Sequence, residues 1–157
     1  MKNAWPLIRK LHALFVKAAS ALQSPLLLIV RVYWGWQLAL NGWGKLHNLE
    51  RVTSFFTSLA LPAPGPTAVF IALVEFLGGI LLAVGFLSRP TALVITIDMT
   101  MAYVMADREA LLSFFKDPGK FYAADPFTFL FAGLLVLVFG AGKLSLDTLL
   151  GRFSGKQ

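Results

Sequence analysis

Ala68 to Arg89 reads AVFIALVEFLGGILLAVGFLSR, and from Ala68 to Phe86 every residue is apolar or glycine except Glu75. A run of that length matches a hydrocarbon core of about 30 Å at about 1.5 Å per residue. The stretch therefore predicts a transmembrane helix with a carboxylate near its middle. Inserting an acidic residue there costs roughly 2.5–3.5 kcal/mol, so Glu75 is expected to face protein. Gly78 and Gly79 follow one turn later on its side of the helix and would let another backbone approach closely.

Composition agrees with a membrane chain. The 157 residues are 57% hydrophobic and 14% charged, where a soluble domain carries about 25% charge. The net charge of +6 is read as membrane topology, and no nucleic-acid partner is expected. The absence of cysteine excludes disulfides, thiol relays and Cys-ligated metal or iron–sulfur centres.

Upstream of this helix, Gly44 to Pro66 is a connector whose Val52, Phe55, Phe56 and Leu59 suit a short surface helix ended by Pro-Ala-Pro-Gly-Pro. Pro25 to about Trp43 is a further span, with Arg31, Gly35, Leu38, Gly42 and Lys45 on one helical stripe. Residues 5–23 form a basic amphipathic helix. Leu7, Ile8, Leu11, Leu14, Phe15, Ala18 and Leu22 share one face, opposite Arg9, Lys10, His12, Lys17 and Ser20. Such a helix is expected to lie at a negatively charged leaflet. Lys17 and His12 interrupt the apolar region a signal peptide needs, so the segment is expected to be retained.

Downstream, Thr91 to about Ala106 is a short third span carrying Asp98, residues 108–125 connect, and Pro126 to about Ala141 is the fourth. The expected fold is an all-α four-helix transmembrane bundle with an N-terminal amphipathic interfacial helix. Residues 1–24 form that helix. Residues 25–143 form the bundle, with spans at about 25–43, 66–88, 91–106 and 126–142, and residues 144–157 form a polar cytoplasmic tail. Four spans put both termini on one side. Lys2, Arg9, Lys10, Lys17, Arg89, Lys143, Arg152 and Lys156 lie there, against Lys45, Arg51, Arg108, Lys116 and Lys120 opposite. The positive-inside bias makes the termini cytoplasmic.

Three ionisable residues fall within the spans: Arg31, Glu75 and Asp98. Counted from the cytoplasmic span ends, they lie about 9, 16 and 10 Å deep, which predicts one buried network. Two readings follow: chemistry, as proton transfer or anchoring of a polar headgroup, or a charge clamp that fixes helix order. Asn41, Lys45 and His47 form a candidate polar site on the outer face. His12 and His47 fall on opposite sides and cannot share one haem within a protomer. Met101 and Met105 suit packing better than copper ligation. No phosphate loop, nucleophile elbow or metal-ligand spacing occurs.

Arg31 with Gly35, Gly42 and Lys45-Leu46, Leu61-Pro62, Glu75-Phe76-Leu77-Gly78-Gly79, Gly85 to Arg89 and Gly140 to Asp147 form an ordered set. That set resembles the DoxX family of small four-helix bacterial membrane proteins over residues 26–150. The family is similar to the DoxD subunit of thiosulfate:quinone oxidoreductase. The resemblance implies an inner-membrane subunit, anchor or accessory factor of a redox or stress-response system, in contact with lipid and with other proteins or copies of itself. A quinone-linked oxidoreductase subunit using Arg31, Glu75 and Asp98 is the alternative, with quinone as the cofactor. A second alternative is an accessory to export or maturation of a small metal-binding peptide. The wider fold looks like vitamin K epoxide reductase and methylamine utilisation proteins. Those use cysteine pairs, so their thiol–quinone chemistry does not carry over.

Overall fold

The computed structural model describes residues 5–154, which leaves Lys2 and Lys156 outside it. The described residues are all-helical: α1 (Trp5–His47), α2 (Leu49–Ser58), α3 (Pro64–Val84), α4 (Ser88–Met105), α5 (Arg108–Leu112), α6 (Pro118–Ala123), α7 (Pro126–Phe139) and α8 (Leu146–Ser154). α1 and α3 are long and apolar enough to cross a membrane, and α7 is a shorter apolar helix.

Four helices close a ring: α1 packs on α3, α3 on α4, α4 on α7 and α7 back on α1. Small residues set the α1–α3 contact. Buried positions on α3 are Ala68, Ala72, Glu75, Gly79 and Leu82, alternating four and three residues apart, the spacing of helices that cross at a shallow angle. A Cβ on Gly42 would run into the backbone of Ala72 and Phe76, and one on Gly79 into the backbone of Gly35 and Ala39. The core lies between the four helices, where Leu38, Leu82, Ala92, Ile95, Met99 and Val136 meet. Trp34 meets Phe129 edge-on across α1 and α7, with ring centroids 5.9 Å apart.

The ends of the bundle differ. At the end bearing α2, the α5–α6 connector supplies an aromatic cap. Tyr103 is buried, stacks on Phe121 at 4.8 Å and donates a hydrogen bond to the Phe121 carbonyl at 2.7 Å. At the other end, α3 stops at Gly85, whose φ of 70° is the left-handed conformation that closes helices. The chain from Gly140 to Asp147 folds across this turn.

Element boundaries depart from the sequence reading: α3 is Pro64–Val84 against an expected 66–88, α7 ends at Phe139 against an expected 142, and three further differences concern α1, α4 and the tail. α1 runs through Pro25 without a break, so the amphipathic segment and the first span are one helix. α4 begins at Ser88, because Pro90 is tolerated in a first turn whose N–H groups have no helical acceptor. The tail is helical from Leu146: the Ser145 hydroxyl accepts from the Thr148 N–H in its first turn, and Asp147 is held by the α3–α4 turn.

Candidate functional site

Two polar centres lie apart in the bundle, one about midway along α3 and the other at its Gly85 end. The first joins Lys45, Glu75 and Asp98. Gly42 sits against Ala72 and Phe76, so Lys45 emerges one turn beyond Glu75 on the facing helix. Helical side chains lean toward their own N-terminus. In antiparallel α1 and α3, that lean brings the two side chains toward each other. The Lys45 ammonium donates to Glu75 Oε1 at 2.6 Å. The Glu75 side chain is only 6% exposed and that of Lys45 33%. The Cβ direction of Gly78 meets Ile95, and in antiparallel α3 and α4 the next turn places Glu75 opposite Asp98.

This centre holds two carboxylates and one cation. Glu75 Oε2 and Asp98 Oδ2 are buried without a hydrogen-bond donor. A lysine offers three N–H donors and two carboxylates offer four oxygens, so acceptors outnumber donors. Chemically, the arrangement can hold or pass a proton, or receive a donor group from a bound molecule. Trp43 and Phe76 flank it, their ring centroids 5.4 Å apart.

Arg31 forms the second centre. It is fully buried, and its Nη2 donates to the Leu144 carbonyl at 2.5 Å. Gly85 leaves room for it, since a Cβ there would overlap Arg31 Nη1. The loop carrying Leu144 is fastened by Ser24, whose hydroxyl accepts from the Lys143 N–H at 2.8 Å. Asp147 secures the α3–α4 turn: its carboxylate accepts from the Leu87 and Ser88 N–H groups, each at 2.8 Å, and its own N–H donates to the Gly85 carbonyl. Partial burial acts to raise the Asp147 carboxyl. The hydrogen bonds from Ser88 and Leu87, with Arg31 nearby, outweigh it and hold the group below its ordinary value.

A carboxylate held low in the fold stabilises the fold above its unfolded pKa, and that contribution is lost as pH falls through the folded value. Thermal unfolding of the detergent-solubilised protein should therefore drop from neutral pH to below about 4, and the part of the drop owed to Asp147 should vanish in Asp147→Asn. Asp147→Ala should cost about 1–2 kcal/mol at neutral pH, as for loss of a helix cap. An unchanged pH profile in Asp147→Asn would contradict the clasp.

The structure therefore brings Glu75 and Asp98 together and separates Arg31 from both. Arg31 is level with Gly85, ten residues along α3 from Glu75, or about 15 Å. The depth count assumed flush span ends. In the fold, residues 25–30 lie beyond the end of α3 and beside the Gly140–Asp147 loop, where Gly142 meets Ser24 and Leu27. Of the outer-face candidates, Lys45 turns inward to Glu75. His47 bonds the Trp43 carbonyl at 2.9 Å and borders a surface hollow of about 360 Å³ with Glu50 and Arg51. Asn41 is exposed on α1. The role of Lys45 was legible in its place on the Gly35–Gly42 stripe. Asp147 carried no signal beyond its place at the end of the Gly140–Asp147 motif. Among the described residues, no three His, Asp or Glu side chains are grouped to hold a metal ion.

No curated protein and no solved structure matches the chain. The family model described as DoxX matches residues 26–108. The matched stretch holds Arg31, Lys45, Glu75 and Asp98, while the Gly140–Asp147 loop lies outside it. With more than half of its length matched, and with the apolar helices of a membrane protein, the chain belongs to the DoxX family.

Proposed function

We propose that the protein is a four-span bundle of the bacterial inner membrane, with both termini cytoplasmic. In this reading it serves as a subunit, anchor or accessory factor of a membrane-associated redox or stress-response system. One observation carries the reading: the bundle turns its few ionisable side chains inward, at the edges of its apolar core, and presents an apolar outer surface. Lys45, Glu75, Asp98 and Arg31 point inward, while Ile29, Trp36, Phe70, Leu77, Ile97, Phe131 and Val138 are exposed on the outer faces of the four helices. Water would penalise so continuous an apolar belt, whereas lipid accepts it and drives ionisable groups to the interior. DoxX membership supports the link to redox and stress systems.

The unpartnered Glu75 Oε2 and Asp98 Oδ2 favour one alternative, a quinone-linked oxidoreductase subunit in which this pair exchanges protons with a quinone head. Arg31, about 15 Å along α3 from Glu75, takes no part in it. Solvent extraction of the purified protein separates the two readings: stoichiometric quinone in the wild type, lost in Glu75→Gln, would favour the oxidoreductase. For the accessory role, cells lacking the protein should be more sensitive to oxidants, and folded Glu75→Gln should fail to restore resistance. Unaltered sensitivity across redox stresses would overturn it.

A further inference from the structure

The ring of four helices uses only about half of α1. Its first buried residue is Leu27, and the described side chains before Ser24 are exposed. At about 1.5 Å per residue, the 43-residue helix is about 65 Å long, twice a hydrocarbon core of about 30 Å. Its first twenty residues therefore extend beyond the bundle with their apolar face open: Leu7, Ile8, Leu11, Leu14, Phe15 and Leu22.

We propose that residues 7–24 of α1 bend away at Pro25 and lie along an anionic lipid leaflet, apolar face down. Three observations select this occupant. Pro25 stands where the helix leaves the bundle and has no N–H for the Ala21 carbonyl, which makes it the weakest link in the helical ladder. Ser24 is pinned just there by the Lys143 N–H, so the bundle side of the link is fixed and the other side is free. The charge is of one sign: Arg9, Lys10 and Lys17 lie on the side away from the apolar face, where headgroups and water meet a helix at a leaflet, and no Asp or Glu occurs before Glu50. Two copies of this helix would bring like charges together, whereas an anionic surface neutralises them. Exit beside the inner end of the bundle places the segment at the leaflet it would bind. The inference rests on α1 crossing the membrane, which a label at Gly44 checks separately.

The chain has no cysteine, so a spin-label pair at Leu11→Cys and Gly44→Cys reports the geometry directly. A side chain at Gly44 enters open space. In the full-length protein, a straight helix puts the two sites about 50 Å apart, and a right-angle bend at Pro25 brings them to about 35 Å. In vesicles containing phosphatidylglycerol, the shorter distance is expected, with the label at Leu11 open to oxygen and one at Lys10 open to water. Vesicles of phosphatidylcholine alone should return part of the population to the longer distance, and so should Pro25→Ala. A single distance near 50 Å in anionic vesicles would overturn the proposal, as would an immobilised Leu11 label shielded from lipid, which would assign the face to a protein. Equal bending in both lipids would overturn the role of charge. A Gly44 label buried in lipid would instead count against α1 crossing as described.

Discussion

Lys45→Met should lower the unfolding free energy of the detergent-solubilised protein by about 3 kcal/mol, while Lys45→Met combined with Glu75→Gln should recover most of that loss. Removing one partner of a buried ion pair costs about 3–5 kcal/mol because the other charge is stranded. The one-third exposure of Lys45 lets water soften that penalty, which sets the lower edge of the range. Glu75→Gln removes the carboxylate and leaves Lys45 free to reach water, so it should cost less than Lys45→Met. The two changes should be strongly non-additive. Arg31→Met with Glu75→Gln should be additive, since Arg31 sits about 15 Å along α3 from Glu75, beyond the reach of direct coupling. The reverse pattern, with Arg31 coupled to Glu75 and Lys45 independent, would restore the single network that span depths alone predict.

Gly79→Ala is expected to destabilise by about 2–3 kcal/mol, the upper part of the range for overfilled cores. Its neighbour Gly78→Ala should be neutral or stabilising by up to about 1 kcal/mol, from better helix propensity. A single methyl distinguishes them by direction. At Gly79 it meets the backbone of Ala39 and Gly35, which no rotamer change can move, so α1 and α3 must part. At Gly78 it meets the flexible end of Ile95 at 3.5 Å, an ordinary contact. Separation of α1 and α3 would also pull Lys45 from Glu75, so Gly79→Ala should carry part of the Lys45→Met loss with it. Thermal and denaturant unfolding of both variants tests this, and equal effects would contradict the close α1–α3 approach.

What the sequence reveals follows from the physics of each signal. Glu75 and the glycines after it are local: an acid in an apolar run must face protein, and small residues beside it must face another helix. Both hold in the fold. The Arg31–Gly35–Leu38–Gly42–Lys45 stripe is also local, and it faces α3 along its length. Which charges meet is different, because it depends on how far one helix slides along another. Counting depth from the cytoplasmic span ends fixes that offset by assumption and groups Arg31 with Glu75 and Asp98. The contacts of Gly35 with Gly79 and of Gly42 with Ala72 fix it physically and pair Lys45 with Glu75 instead. Pro25 misled for a related reason. Proline ends helices often enough to mark a boundary, yet here the helix continues through it. Asp147 was hidden because its partners, Leu87 and Ser88, lie some sixty residues away in sequence.

The four-span reading turns on α4 and α7, which are shorter than the α1 and α3 helices. Membrane-impermeant maleimide applied to intact cells tests it on single-cysteine variants, since the chain has no cysteine of its own. Gly44 lies at one end of α1, the 91%-exposed Phe115 lies on the connector between α4 and α7, and Leu144 lies on the exposed loop after α7. Cysteine at Gly44 and at Phe115 should label in intact cells, and cysteine at Leu144 only after the membrane is permeabilised. Labelling of positions 115 and 144 from the same side, or protection of position 115 while position 44 reacts, would contradict the bundle as a four-span membrane structure.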